Sequence, residues 1–237
     1  MEQTVDNAFQ GSTLLMPQTP VETIVGNSHE CFSFYFLLTI GLILLITQIK
    51  TLIGIVPSLV ATAIRWKESL NLEASASLSR DRNLVAICAI IPFILTIYTR
   101  DIYQPQWMAT LGPNTRLWAI IGVLCALILV RTALEAILKP RRVPAKNYKA
   151  IVRVAYSFFI IQTTLLLLVN GICAIIGSDA DSVRNAMLWV SALTYLLYLI
   201  RKMQIFTSSC SFFGGILYLC ALEILPTGAV VASAVIF

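Results

Sequence analysis

Residues 139–176 read KPRRVPAKNYKAIVRVAYSFFIIQTTLLLLVNGICAII. Lys139–Arg153 carry six Lys and Arg, and the 23 residues of Val154–Ile176 carry no charge. A bilayer core of about 30 Å is crossed by about 20 apolar residues in a helix. Basic segments flanking a span stay on the cytoplasmic side. The stretch therefore reads as a transmembrane helix entered from a cytoplasmic loop, and it sets the direction in which its neighbours are read.

Working outward, apolar runs over 32–49, 84–99, 117–138, 154–176, 186–200 and 212–233 give six spans. The segments between them alternate in charge. Met1–Cys31 holds no Lys or Arg; Lys50–Asn83 holds Lys50, Arg65, Lys67, Arg80 and Arg82. Arg100–Arg116 holds two, Lys139–Arg153 six, the turn after span four only Arg184, and the turn after span five Arg201 and Lys202. Thirteen of 17 basic residues fall on one side, three on the other, and Arg131 lies within a span. Both termini are then expected outside the cytoplasm.

Composition agrees. The chain is 58% hydrophobic and 12% charged, whereas a soluble domain is about 25% charged. Backbone polar groups in lipid must be paired internally, leaving helices or closed barrels. Runs apolar at every position argue against barrel strands, which alternate. The expected fold is an all-α polytopic membrane helix bundle, six transmembrane helices plus one interfacial helix. A single domain over 32–237 follows a flexible extracytoplasmic tail over 1–31. That tail has four acids and no basic start, so it is not read as a signal peptide. The interfacial helix is 51–67: after Lys50 the run Thr51–Ile64 contains Pro57, and as a separate helix it reaches only about 21 Å. It ends at Arg65-Trp66-Lys67, where Trp anchors at headgroups.

The net charge of +5 is what positive-inside sorting deposits, so no nucleic-acid partner is expected. The expected partners are the bilayer itself and anionic lipids at the cytoplasmic face, met by Lys139, Arg141, Arg142, Lys146 and Lys149. Tyr98, Tyr103, Trp107 and Trp118 gather around the opposite loop as an aromatic belt.

Ionisable groups inside a span are costly and mark candidate sites. Arg131 and Glu135 are four apart on one helix face and can pair. Glu223 lies about 16 Å into span six, too deep to snorkel. It must be protonated, paired with a cation such as Arg131, or facing water. Pro226 lacks the N–H that would bond the Leu222 carbonyl and marks a helix kink. Gln162 and Asn170, eight apart in span four, are polar groups suited to interhelical hydrogen bonds. Gly171, Gly214 and Gly215 are expected to permit close helix approach.

No Walker A, HExxH or GxSxG pattern occurs, so no catalytic residue is assigned and the chain is not read as an enzyme. His29, Glu30 and Cys31 are consecutive and do not converge as metal ligands. Asp179 and Asp181 are too few for a calcium cage. The six cysteines include no CxxC pair and are read as small apolar packers. No metal and no cofactor is expected.

Span six carries ILYLCALEILP over Ile216–Pro226. This YLCxLEILP block resembles the C-terminal hallmark of a family of Gram-negative bacterial multi-span inner-membrane proteins defined by a domain of unknown function. The resemblance extends over most of the chain after span one, including the basic loop before span four. It implies a multi-pass protein of the bacterial inner membrane and carries over Tyr218, Cys220, Glu223 and Pro226, with no known activity. Members often end in a lysine, whereas this chain ends in Ala-Val-Ile-Phe237.

Two readings remain. The first is a non-enzymatic subunit or scaffold of a cell-envelope complex, meeting a second copy or another envelope protein. The second is a small transporter or proton- or ion-coupled carrier using the midplane carboxyl of Glu223. Small loops and the lack of a catalytic signature favour the first. A dry, Arg-paired Glu223 supports a scaffold, and a wet pocket at Glu223 supports transport.

Overall fold

The computed structural model describes residues 28–65, 75–137, 145–208 and 212–236. Over these the chain is 91% helical with no strand. The helices are α1 Ser28–Ile64, α2 Ala76–Cys88, α3 Ile90–Thr99, α4 Pro113–Ile137, α5 Ala145–Ile176, α6 Ala180–Thr207, α7 Phe212–Leu219 and α8 Leu225–Ile236. A π-helical turn, Cys220–Ile224, joins α7 to α8. Six helical segments are long and apolar enough to cross a membrane: Ser33–Ile64, Ala76–Thr99, Pro113–Ile137, Tyr148–Ile176, Ala180–Thr207 and Phe213–Ala234.

Hydrogen bonds between distant helices show that the segments alternate in direction. At one end, Arg201 Nε donates to the Ala63 carbonyl at 2.8 Å and Arg153 Nη1 to Ser79 Oγ at 3.1 Å. At the other, Arg100 Nε donates to Asn170 Oδ1 at 2.7 Å, and the hydroxyls of Tyr103 and Ser233 lie 2.8 Å apart. Trp107 and Trp118 sit exposed at this second end, where an aromatic belt belongs.

Several sequence boundaries move. The break between span one and an interfacial helix over 51–67 is absent, because α1 runs unbroken through Lys50 and Pro57 to Ile64. Leu52, Ile55 and Leu59 pack against Val85, Ala86 and Ile160, and this burial overrides the two breakers. Lys50 is thus an exposed residue within a helix, not a loop residue. Trp66 and Lys67 lie outside the described residues, as do residues 1–27 of the expected tail. Helix α2 begins eight residues before Leu84 and takes in Arg80 and Arg82, the latter buried. The second span is interrupted at Ala89, three residues before Pro92, whose missing N–H leaves the Cys88 carbonyl without its helical donor. Helix α6 runs on past Ile200 to Thr207, so Arg201 and Lys202 are helical and not part of a turn.

Between α5 and α6 the chain reverses tightly. Gly177 takes φ +72° and Ser178 N–H bonds the Cys173 carbonyl at 3.1 Å, a glycine-terminated helix end. The Asp179 carboxylate caps α6 by accepting from Ser182 N–H at 3.1 Å. That reversal sets α5 beside α6, and Ile151, Val154 and Phe158 of α5 form a core with Tyr198, Ile205 and Phe206 of α6 and Tyr218 and Leu222 of the last span.

Candidate functional site

Glu223 lies ten residues into its span, about 15 Å from the start of the apolar segment, and is 2% exposed. Burying an unpaired carboxylate is costly, and the structure supplies partners from two other spans. Arg131 of α4 places Nη2 at 2.9 Å from Glu223 Oε1. Lys202 of α6, 1% exposed, ion-pairs with the same oxygen. Tyr198 Oη donates to it at 2.7 Å. Tyr198 in turn accepts from Arg131 Nη2 at 2.9 Å and from Lys202 Nζ at 3.2 Å, so its one proton and both lone pairs are used. Glu135 completes the cluster through Arg131 Nε at 3.3 Å.

Two carboxylates face two cations, so the cluster is neutral in sum. Lys202 also stands over the rings of Tyr198 and Tyr218, at 5.6 and 5.9 Å from their centroids, adding cation–π attraction.

The backbone at Glu223 is also unusual. The π turn leaves this segment wider than an α-helix, and Leu225 N–H reaches back five residues to the Cys220 carbonyl. Pro226 follows immediately. The Glu223 carbonyl is taken by side chains, accepting from Tyr195 Oη at 3.1 Å and from Thr227 Oγ1. The Tyr195 and Thr227 hydroxyls lie 2.6 Å apart. Wide turns of this kind collect at functional positions.

A cavity of about 690 Å³ opens beside the cluster. Its wall includes Gln162, Ser191, Tyr195, Glu223, Thr227 and Gly228, with apolar side chains between them.

Of the residues singled out in the sequence, the structure brings Glu223, Arg131 and Glu135 together. Gln162 does not reach them; Nε2 donates to Ser191 Oγ at 2.7 Å, farther along the cavity. Asn170 is elsewhere, bound to Arg100. Lys149 is exposed at the start of α5. Lys139, Arg141 and Arg142 and the side chain of Lys146 lie outside the described residues. Gly215 meets Met203 and Phe206, whereas Gly171 has no such neighbour within 4 Å.

Sequence reasoning missed Lys202, Tyr198, Tyr195 and Thr227. A signal was present: Ser191, Tyr195, Tyr198 and Lys202 recur at spacings of four, three and four, one face of a helix. It went unread because the apolar run ends at Ile200, which placed Lys202 in a turn.

These features define a helical, multi-pass membrane protein with an ion cluster buried between three spans. The chain belongs to the family described as domain of unknown function DUF4271, whose model matches residues 31–232. The match takes in all six membrane-spanning segments through Ala232 and includes every member of the cluster. No curated protein and no solved structure matches the chain.

Proposed function

We propose that this protein is a non-enzymatic subunit or scaffold of a cell-envelope complex in the inner membrane of a Gram-negative bacterium. Residues 32–237 act as a single transmembrane domain with both termini extracytoplasmic, and residues 139–149 rest on anionic cytoplasmic headgroups. The observation carrying this reading is the saturation of Glu223 Oε1. One oxygen takes two cations and a tyrosine hydroxyl from α4 and α6, which locks three spans together. A coupling carboxylate must release and regain its proton; a carboxylate held this way serves as a structural tie. The charge asymmetry along the sequence supports the orientation.

The cavity favours a second reading, a carrier in which Glu223 meets a substrate or proton. Native-gel migration of gently solubilised membranes, together with proton flux in dye-loaded proteoliposomes, separates the two. The scaffold reading expects a discrete assembly larger than one chain and no flux above protein-free vesicles. A monomer that conducts protons, with flux abolished in the E223Q/K202M double variant, overturns it.

A further inference from the structure

We propose that the cavity beside Glu223 binds one uncharged, lipid-borne alcohol. This goes beyond the scaffold reading and does not depend on it. The cavity, at about 690 Å³, falls within the range of about 300–1,000 Å³ typical of small-molecule pockets.

Its rim includes Leu188, Ile224 and Val231, exposed on membrane-spanning segments. The mouth therefore faces the hydrocarbon, and an occupant arrives dissolved in the bilayer.

Charge excludes ionic heads. Arg131 and Lys202 are balanced by Glu135 and Glu223, leaving no surplus to offset a carboxylate, phosphate or amine in a dry site. Besides Arg131 and Glu223, which face each other, the wall offers neutral polar groups, one pair of which is matched. Ser191 Oγ accepts from Gln162 Nε2. Among the described residues the Ser191 hydroxyl donates to no group and the Gln162 carbonyl oxygen accepts from none. One donor and one acceptor thus stand side by side. A hydroxyl answers both at once, since it donates one bond and accepts others. A hydrocarbon tail answers neither, and a ketone or ester answers only the donor.

Gly228 provides the means to test occupancy. It lies on the cavity wall, and a Cβ built there meets nothing within 4 Å, so Gly228→Leu fills the space without a backbone clash. The experiment uses the full chain in phosphatidylcholine nanodiscs with two photoreactive probes, diazirine-hexadecanol and diazirine-palmitic acid, and maps crosslinks by mass spectrometry. The expected result is alcohol labelling within residues 155–162 and 188–198, competed by unlabelled hexadecanol. Ser191→Ala lowers that labelling about five-fold, the size of one hydrogen bond, and Gly228→Leu abolishes it. Thermal melting in detergent checks that both variants are folded, and Ser191→Ala alone carries the test if Gly228→Leu is not. Labelling unchanged in the folded variants means ordinary surrounding lipid and overturns the proposal. Palmitate labelling equal to the alcohol also overturns it.

Discussion

Lys202 and Glu223 form an ion pair with side chains only 1% and 3% exposed. The pair joins the fifth membrane-spanning segment to the sixth. Arg131, 26% exposed by the same measure, is the outer of the two cations on this carboxylate. The depth of Lys202 decides how the cluster responds to substitution.

Glu223→Gln removes the charge and leaves two cations facing one remaining carboxylate. Breaking a buried pair from one side costs about 3–5 kcal/mol. Adding Lys202→Met restores neutrality and removes the cation that cannot reach water. Adding Arg131→Met instead leaves Lys202 buried with no carboxylate in ion-pair contact. Melting temperatures in detergent should therefore show stronger rescue of E223Q by K202M than by R131M. Equal rescue, or additive effects in both double-mutant cycles, contradicts the assignment.

Tyr198→Phe should destabilise more than Tyr195→Phe. The Tyr198 hydroxyl donates to a carboxylate and accepts from two cations, and hydrogen bonds to charged groups are worth about 1.5–3 kcal/mol. The Tyr195 hydroxyl bonds neutral groups only, worth about 0.5–1.5 kcal/mol. Unfolding in mixed detergent micelles measures both.

Gly215→Ala should be less stable than Gly228→Ala. A Cβ at Gly215 comes within 3.2 Å of Met203 and of the buried Phe206 ring, an overpacking that costs about 1–3 kcal/mol. At Gly228 nothing stands in the way, so alanine improves helix propensity by up to about 1 kcal/mol. Melting curves that rank the two variants the other way contradict the packing described.

Cysteine placed at the exposed residues Ser77 and Ser178, in a cysteine-free background, reports topology. A membrane-impermeant maleimide should label Ser178→Cys from outside intact spheroplasts and reach Ser77→Cys only after lysis. The reverse pattern inverts the proposed orientation.

The hydroxyl and N–H of Ser182 both bond the Asp179 carboxylate and hold it below the usual aspartate range. A depressed folded-state value means the cap stabilises α6 at higher pH and fades as pH falls through that value. Amide exchange at Ser182 should accelerate on acidification in the parent and be fast at all pH values in Asp179→Ala, after correction for intrinsic rates.

Six spans were legible because charge interrupts hydrophobicity at regular intervals, and Glu223, Arg131 and Glu135 stood out because charge within an apolar run is rare. The continuity of α1 was not legible. Lys50 and Pro57 look like breakers until Ile55 and Leu59 are seen buried against two other helices. Lys202 was lost because a boundary drawn by hydropathy alone stops at Ile200, although the helix continues to bury Ile205 and Phe206. Tyr198 reads as one more aromatic residue; what its hydroxyl touches depends on three chain segments far apart in sequence.

The wide turn at Cys220–Ile224 makes chain length part of the recognition. Tyr218 and Glu223 both reach Lys202, yet they are five residues apart. In a regular α-helix such positions point about 140° away from each other. The extra residue brings them to one side. Deleting Ala221 would leave Tyr218 and Glu223 four residues apart, which an ordinary α-helix also sets on one face, about 40° apart. The wide turn is thus what absorbs one extra residue without rotating either side chain off the lysine. Five-residue spacing at these two positions therefore works only together with the wide turn between them.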